Sequence, residues 1–318
     1  GASVLSMGSG NTLTRSLGVI SNGHYTYKGK YIISGGYRWE SNSSLGKNQR
    51  WAGFPSIGVA WQAGDEKFIQ DLNVFQTAKF RVSWGQSGNA PSGAWPYLGV
   101  FKPITPGYMD MTAISPSSIQ LENLKWETIT STDIGVDFSL FKNKLNITAE
   151  WYHRRTTDLL QKDVELPSST GFSQISYFNS GELTNKGWEI MFNYDAVRKE
   201  DFKLSFNINF SKNRNEVVEL PENMQFENYE FGNGKYAHKI IEGNPIGSFY
   251  GYRYLGVYQN QDETFARDLS GNIMYNLNGE PVVIQNGPRK VYAGDAKYQD
   301  IDGNGVINPV SYTHLRAH

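Results

Sequence analysis

The residues best suited by type and spacing to do chemistry lie near the C-terminal end, in Asp300-Ile301-Asp302-Gly303-Asn304-Gly305-Val306-Ile307. Side-chain oxygens at positions one, three and five, a glycine at six and a backbone carbonyl at seven form the first half of an EF-hand-type calcium loop. Asp300, Asp302 and Asn304 would supply the oxygens, Gly305 the sharp turn and Val306 the carbonyl. The bidentate acid due at position twelve is missing, because Ser311 stands there. The competing reading is an Asx-rich surface turn held by side-chain-to-backbone bonds. Calcium on Asp300, Asp302 and Asn304 is therefore the one metal the sequence raises, and no other cofactor is expected.

Catalysis has little to stand on. The five histidines (His24, His153, His238, His314 and His318) form no H-E-x-x-H pair, and no G-x-S-x-G elbow, P-loop or completed G-x-G-x-x-G occurs. No cysteine is present, which removes disulfides and thiolate metal sites. A net charge of −1 without a basic stripe gives no case for nucleic acid. The expectation is a protein that is not an enzyme.

The elements that would position these residues are strands. Lys142-Asn143 joins two stretches that alternate apolar and polar in register. A two-residue turn there pairs Leu140 with Leu145, Phe138 with Ile147, Val136 with Ala149 and Ile134 with Trp151. One face is apolar and the other polar over roughly ten residues per strand, a length that suits a bilayer-spanning strand of about 9–11 residues. Eight such strands are expected, near Thr12–Tyr27, Lys30–Asn42, Phe54–Ala63, Ala78–Gly88, Glu127–Phe141, Lys144–Leu160, Gly187–Val197 and Phe202–Asn213. Matching Trp188, Ile190, Phe192 and Tyr194 to Phe206, Ile208 and Phe210 requires an odd-length loop around Val197-Arg198-Lys199. No apolar run reaches the ~18–20 residues of a membrane helix, and a mean hydropathy of −0.50 is compatible with a membrane barrel, where only alternate residues face lipid.

The connections alternate in length. Lys28-Gly29, Lys142-Asn143 and Val197–Lys199 are tight; Ser43–Gly53, Asn89–Trp126, Gln161–Gly181 and Asn215–Ser248 are long. Gly64–Thr77 is intermediate, with a short helix expected around Glu66, Phe68, Ile69 and Leu72. Short turns on one rim and long loops on the other are a membrane-barrel pattern. Trp39, Trp51, Trp61, Trp84, Trp126, Trp151 and Tyr152 near strand ends suggest an interfacial aromatic girdle. The long loops add Trp95, Tyr97, Phe101, Tyr108, Phe172, Tyr177, Phe178, Phe226, Tyr229, Phe231 and Tyr236, available for ligand stacking or for packing among the loops.

Six segments carry a family resemblance: KYIISGGYRWESNSSLGKNQRWAGFPSIGVAW (Lys30–Trp61), FRVSWGQSGN (Phe80–Asn89), LKWETITSTDIGVDFSLFKNKLNITAEWYHRRTTDLL (Leu124–Leu160), GELTNKGWEI (Gly181–Ile190), FSKNRNEVVEL (Phe210–Leu220) and GDAKYQDIDGNGVI (Gly294–Ile307). In this order the chain resembles the SusC/RagA family of TonB-linked outer-membrane proteins. The resemblance implies a plugged barrel of about 22 strands that imports oligosaccharides or peptides. It also implies a SusD-like surface lipoprotein as lid, and energy from the TonB complex through N-terminal and plug regions not contained in this sequence. The host would be a Gram-negative bacterium of Bacteroidetes type, and the partners would include outer-membrane lipid.

The expected fold is all-β: an antiparallel transmembrane β-barrel segment, roughly 8–10 strands of a larger barrel, with short periplasmic turns and long extracellular loops. Residues 1–309 form the barrel part. Residues 310–318 depart from the family pattern and resemble a translated sequencing-adapter tail. The main rival is a soluble secreted β-rich glycan-binding module, with a non-TonB porin or adhesin barrel behind it. The rivals differ in where the apolar faces go: a barrel shows them as one outward band, and a sandwich turns them against each other.

Overall fold

In a computed structural model of the protein, the described residues are 13–93, 95–104, 113–221, 229–230, 237–308, 311 and 313–315. They form two compact units divided between Leu220 and Pro221. In the first unit twelve strands follow in chain order: β1 (Ser16–Tyr27), β2 (Tyr31–Asn42), β3 (Trp51–Gln62), β4 (Phe75–Asn89), β5 (Phe101–Ile104), β6 (Ala113–Pro116), β7 (Glu127–Leu140), β8 (Leu145–Thr157), β9 (Leu160–Glu165), β10 (Gln174–Asn179), β11 (Glu182–Arg198) and β12 (Lys203–Glu219). Eight of them make one antiparallel sheet in the order β1-β2-β3-β4-β7-β8-β11-β12, while β5 pairs with β6 and β9 with β10 inside the long connections. The eight expected strands are thus neighbours in the order the chain makes them.

The Lys142-Asn143 hairpin has the register its alternation implies: Leu140 faces Leu145, Phe138 faces Ile147, Val136 faces Ala149 and Ile134 faces Trp151. Lys142 and Asn143 both take positive φ, 58° and 63°, as a type I′ turn demands, and the Lys144 N–H donates to the Phe141 carbonyl at 3.3 Å. The same alternation runs across the whole sheet. Tyr31, Trp61, Phe80, Val136, Ala149, Ile190 and Phe210 form one continuous row of paired residues, all on the same face.

The β11–β12 turn departs from expectation. Phe192 does face Ile208 and Tyr194 does face Phe206, but the loop is not odd in length. Arg198 pairs with Lys203, which leaves four residues between the strands, and the parity is corrected by a bulge between Asp195 and Val197. Ala196 is the extra residue. Strands β11 and β12 also run further toward the long loops than expected, to Glu182 and Glu219. Their polar alternation past Trp188 and Phe210 still satisfies a ladder once the strands leave the apolar zone. β3 likewise begins at Trp51, which shortens the preceding loop.

Short and long connections sort to opposite rims as expected. The intermediate one holds a 3-10 turn, Ala63–Asp65, and a single helical turn, α1 (Lys67–Gln70). The Glu66 carboxylate accepts there from Lys30 Nζ at 2.9 Å and from Tyr31 Oη at 2.8 Å, tying this turn to the start of β2.

The second unit is built from short pieces. Tyr254–Val257 pairs with Ala296–Tyr298, and Ser248–Gly251 lies between Ala237–Lys239 and Thr313–Leu315. Its interior is small: Tyr258, Ala266, Thr264 and Ile307 are fully buried. Three turns repeat one pattern, Asp268-Leu-Ser-Gly-Asn272, Asn276-Leu-Asn-Gly-Glu280 and Asp300-Ile-Asp-Gly-Asn304. In the first two, the leading side chain accepts the backbone N–H groups two and four residues on, all at 2.9 Å. The fourth position is a glycine with positive φ in all three, where a Cβ would be strained.

Glu66 provides a test of how the turn is held. The bonds from Lys30 and Tyr31 keep its carboxyl below the usual 4.5. A depressed carboxylate adds stability that is present above 4.5 and is lost as the pH falls through the folded value. Acidification below about pH 4.5 should therefore lower the protection of residues 63–74 of the intact protein, relative to the intrinsic exchange rate at each pH, and Glu66→Gln should show the lower protection already at neutral pH. Unchanged protection in both cases would contradict the tie.

Candidate functional site

The two faces of the eight-stranded sheet have opposite chemistry, and together they are the site. The apolar face is bare: Val19 is 62% exposed, Val59 52% and Phe210 54%. A patch running over eight strands is far larger than a soluble surface tolerates, and no second sheet of this unit packs on it among the described residues. The sandwich alternative is thereby excluded for this unit, since its apolar faces would be mutually buried.

The borders of this face are aromatic. Trp39, Trp51, Trp84, Trp151 and Trp188 mark the side of the long loops; Tyr27, Tyr31, Trp61 and Tyr194 mark the side of the short turns. Tyr37, Trp39 and Trp51 stack in series, with ring centroids 6.2 and 5.9 Å apart. The border runs obliquely to the hydrogen-bond rows. Following paired residues from Trp188 through Trp151, Ile134, Val82 and Val59 leads to Ile33, six residues short of Trp39. Six residues at about 3.3 Å against five strand spacings of about 4.8 Å correspond to a tilt of about 40°, inside the roughly 35–45° of membrane barrels. Tyr31 to Trp39 is then about 26 Å along the strand and about 20 Å along the membrane normal, near the about 25 Å of an outer-membrane band.

Two members of the expected girdle are not on it. Tyr152 points to the opposite face, where Arg154 lies over its ring at 5.2 Å. Trp126 is 6% exposed and belongs to a small loop core with Leu45, Phe54, Leu124 and Tyr177. Trp188 takes a border place that the sequence reading assigned only to strand pairing. His153 continues the apolar face past Trp151 and stacks on it, with ring centroids 6.3 Å apart.

The other face is polar and unusually flat at its centre. Ser34, Gly36, Ser56, Gly58, Ser83 and Gly85 line a depression of about 590 Å³. These residues touch across strands: a Cβ on Gly36 would lie 2.8 Å from Ser56 Oγ, and one on Gly58 would lie 2.9 Å from Ser34 Oγ. Beside the depression, Arg81 reaches Asp137 at 3.3 Å and Glu150 at 2.9 Å. It bridges three strands, β4, β7 and β8. Gly135 makes this possible, because a Cβ there would sit 2.5 Å from the guanidinium carbon.

Above the polar face, the long connections hold one another. The Trp126 indole N–H donates to the Arg50 carbonyl at 3.0 Å, and Arg50 donates to the Tyr97 hydroxyl at 2.6 Å. Ser44 Oγ donates to the Gly93 carbonyl at 2.7 Å, and Asn179 exchanges two bonds of 2.9 Å with the Lys125 backbone. Of the loop aromatics, Tyr97 and Tyr177 pack with this core, whereas Trp95, Phe101 and Phe178 are exposed. Tyr108, Phe226, Phe231, Tyr236 and the side chain of Tyr229 lie outside the described residues.

The calcium-like loop sits in the second unit. Asp300 accepts the N–H groups of Gly303 at 3.2 Å and Gly305 at 2.7 Å; Asp302 accepts from Asn304 Nδ2, and Asn304 Oδ1 accepts from the Val306 N–H, both at 2.7 Å. The three candidate ligands are thus brought into one turn, though their oxygens are engaged within it. No cluster of three or more His, Asp or Glu stands ready for a metal among the described residues. Burial, with the neighbouring Asp302, pushes the Asp300 carboxyl above its usual range despite the two N–H bonds. Asp268, in the matching turn but exposed, is held below it by the Asn272 and Ser270 bonds.

A family model described as TonB dependent receptor-like, beta-barrel matches residues 4–313. The chain is 34% identical over 304 residues to TonB-dependent receptor P3 of Formosa agariphila, covering 93% of this chain and 28% of that protein. It is 28% identical over 316 residues to TonB-dependent receptor SusC of Bacteroides thetaiotaomicron, covering 94% of this chain and 28% of that protein. Among solved structures, the RagAB peptide transporter superposes with a TM-score of 0.67 at 24% identity, covering 91% of this chain and 30% of that one; that likeness is one of fold. The chain therefore spans less than a third of the length of these relatives.

Three outcomes follow from the geometry. Trp126→Ala should cost the loop core about 3–5 kcal/mol, seen as faster hydrogen exchange in residues 43–50 and 90–93 with the sheet unaffected. Gly135→Val should displace Arg81 and lower barrel stability by about 1–3 kcal/mol, read as an earlier thermal unfolding transition in detergent. At Asp300 the sign is opposite to that at Glu66. Because burial disfavours the charged form there, residues 300–307 should gain protection, relative to the intrinsic exchange rate at each pH, as the pH falls through the raised folded value toward 3.8.

Proposed function

Since this chain belongs to the TonB dependent receptor-like β-barrel family, we infer that it is part of the wall of an outer-membrane nutrient importer in a Gram-negative bacterium of Bacteroidetes type. The observation that carries this reading is the pairing, across eight strands, of one bare, tryptophan-bordered apolar face with one polar face whose centre on β2–β4 is lined by small residues. The first face suits lipid and the second suits a water-filled or plugged lumen. The cargo is an oligosaccharide or a peptide; SusC and the RagAB peptide transporter are the relatives that suggest it. A SusD-like lipoprotein would close the outer rim, and the TonB complex would act through the plug region of the complete transporter. The wall does no covalent chemistry: it bounds the path and carries the loops.

A second role concerns Asp300, Asp302 and Asn304. Their oxygens are gathered in one turn with the spacing of the first half of a calcium loop, an arrangement that a divalent cation would suit. In the intact protein, millimolar calcium should therefore slow exchange at residues 300–307 at neutral pH, and Asp302→Asn should remove the response. No response in the unaltered protein leaves the Asx turn as the whole account.

The import reading has a direct test in the complete transporter that carries this chain. Ser83→Trp places an indole in the flat strip of the inner wall. It should lower uptake of the cognate oligosaccharide or peptide about tenfold, a change of about 1.4 kcal/mol, with the amount of carbonate-resistant barrel in the outer membrane unchanged. A protein released in soluble form would refute the wall assignment, and unaltered uptake would refute the role of the strip.

A further inference from the structure

The second unit holds a cavity of its own. Its volume is about 580 Å³, within the range of small-molecule sites and far more than a bare ion fills. The charged part of its lining is Asp262, Glu263, Asp268 and Asp300 against Arg267 and Lys297. Four carboxylates against two cations leave two negative charges in excess. The bonds that Asp268 and Asp300 accept come from neutral donors, backbone N–H groups and the Asn272 side-chain amide, so they leave both charges in place. Asp262 has no ion pair among the described residues. Glu263 does meet a cation: its Oε2 accepts from Lys297 Nζ at 3.3 Å, while its Oε1 has no partner among the described residues.

Tyr258 forms one side of the cavity. It is 1% exposed, yet its hydroxyl has no hydrogen-bond partner among the described residues. Leaving a buried hydroxyl unbonded is costly, and a polar group lodged in the cavity would remove that cost. Burial, with Asp300, Asp295 and Glu263 nearby, holds the phenol above its ordinary 10, in keeping with the acid excess around it. A face of the same ring already takes an ammonium group, because Lys297 Nζ lies 5.4 Å from its centroid, a cation–π distance. Leu255, Phe265, Ile284 and Tyr298 add apolar surface between the charges. The acid excess disfavours an anion. A bare metal ion would leave most of the volume unfilled, and no cluster of three or more acids or histidines stands ready for one among the described residues.

We propose that this cavity binds a small aliphatic amine carrying two ammonium groups, one of which donates to the Tyr258 hydroxyl and to Glu263. Two ammonium groups match the two unbalanced charges, and charge-assisted bonds to carboxylates are the strong ones. The methylene chain between them suits Phe265 and Ile284. Lys297 then acts as a competitor built into the chain, since its own ammonium uses the ring and the carboxylate that the ligand needs. The site lies wholly within the second unit and does not depend on the wall assignment.

The test uses the complete purified transporter that carries this chain, in detergent with a calcium chelator present, and 1,4-diaminobutane as probe. Hydrogen exchange in residues 258–268 and 295–300 is the readout, because a ligand of the folded cavity suppresses local opening. The diamine should slow that exchange with a midpoint about tenfold below that of 1,4-butanediol, and succinate should have no effect. Tyr258→Phe keeps the ring and should raise the diamine midpoint about three- to tenfold. Lys297→Gln removes the internal competitor and should lower the midpoint about threefold or more. Asp302→Asn, outside the cavity lining, should leave the midpoint unchanged, which separates this site from the calcium-like loop. Equal midpoints for diamine and diol overturn the proposal without any variant, as does protection by succinate in place of the diamine. An unchanged midpoint in Tyr258→Phe, or weaker diamine binding in Lys297→Gln, overturns it as well.

Discussion

Everything in the first unit depends on backbone pairing without a gap. In a hydrocarbon surrounding, an unpaired N–H or C=O has no water to turn to, so adjacent strands must be hydrogen-bonded along their full membrane length. Once they are, the two-residue period decides which side chains meet lipid and which meet the lumen. A one-residue slip of β8 against β7 would send Leu145, Ile147, Ala149 and Trp151 inward and Asn146, Thr148 and Glu150 outward. The register is thus fixed by the cost of exchanging faces as well as by the turn.

Within that frame the polar interactions are few and specific. Arg81 links three strands by lying over Gly135, a contact that charge alone could not make had any side chain stood beneath it. The loop core uses a different economy: Leu45, Phe54, Leu124, Trp126 and Tyr177 give the long connections an interior of their own. The second unit is different again. It has little sheet, and its three repeated turns are each closed by an Asp or Asn side chain. Whether that closing carboxylate sits comfortably depends on burial, as the opposite directions at Asp268 and Asp300 show.

Much of this was legible in the residues because it is periodic or local. The register of β7–β8 could be counted from Leu140 and Leu145, and the sorting of short and long connections could be read from spacing alone. What could not be read depends on three-dimensional context. Trp126 has the sequence surroundings of a border tryptophan, yet its indole is spent on Arg50, which lies 76 residues away. Tyr152 follows Trp151 immediately, and alternation alone sends it to the other face. The facing of Phe192 and Tyr194 with Ile208 and Phe206 could be read from the alternation, but the odd-length loop that alternation implies is replaced by a four-residue loop and a bulge at Ala196, which alternation does not reveal. The calcium-like spacing of Asp300, Asp302 and Asn304 was visible, but so were the turns at Asp268 and Asn276, and their common pattern explains the shared geometry.

The bulge at Ala196 has an evolutionary consequence. It is the unpaired residue between two intact ladders, with Asp195 facing Ser205 on one side and Val197 facing Leu204 on the other. Removing it would straighten β11 without moving any pair above it, whereas removing one residue from between Trp188 and Tyr194 would invert part of the strand. Length variation by a single residue is therefore tolerable at the short-turn rim and forbidden a few residues higher. Descendants of this hairpin can drift in length there while the wall stays the same.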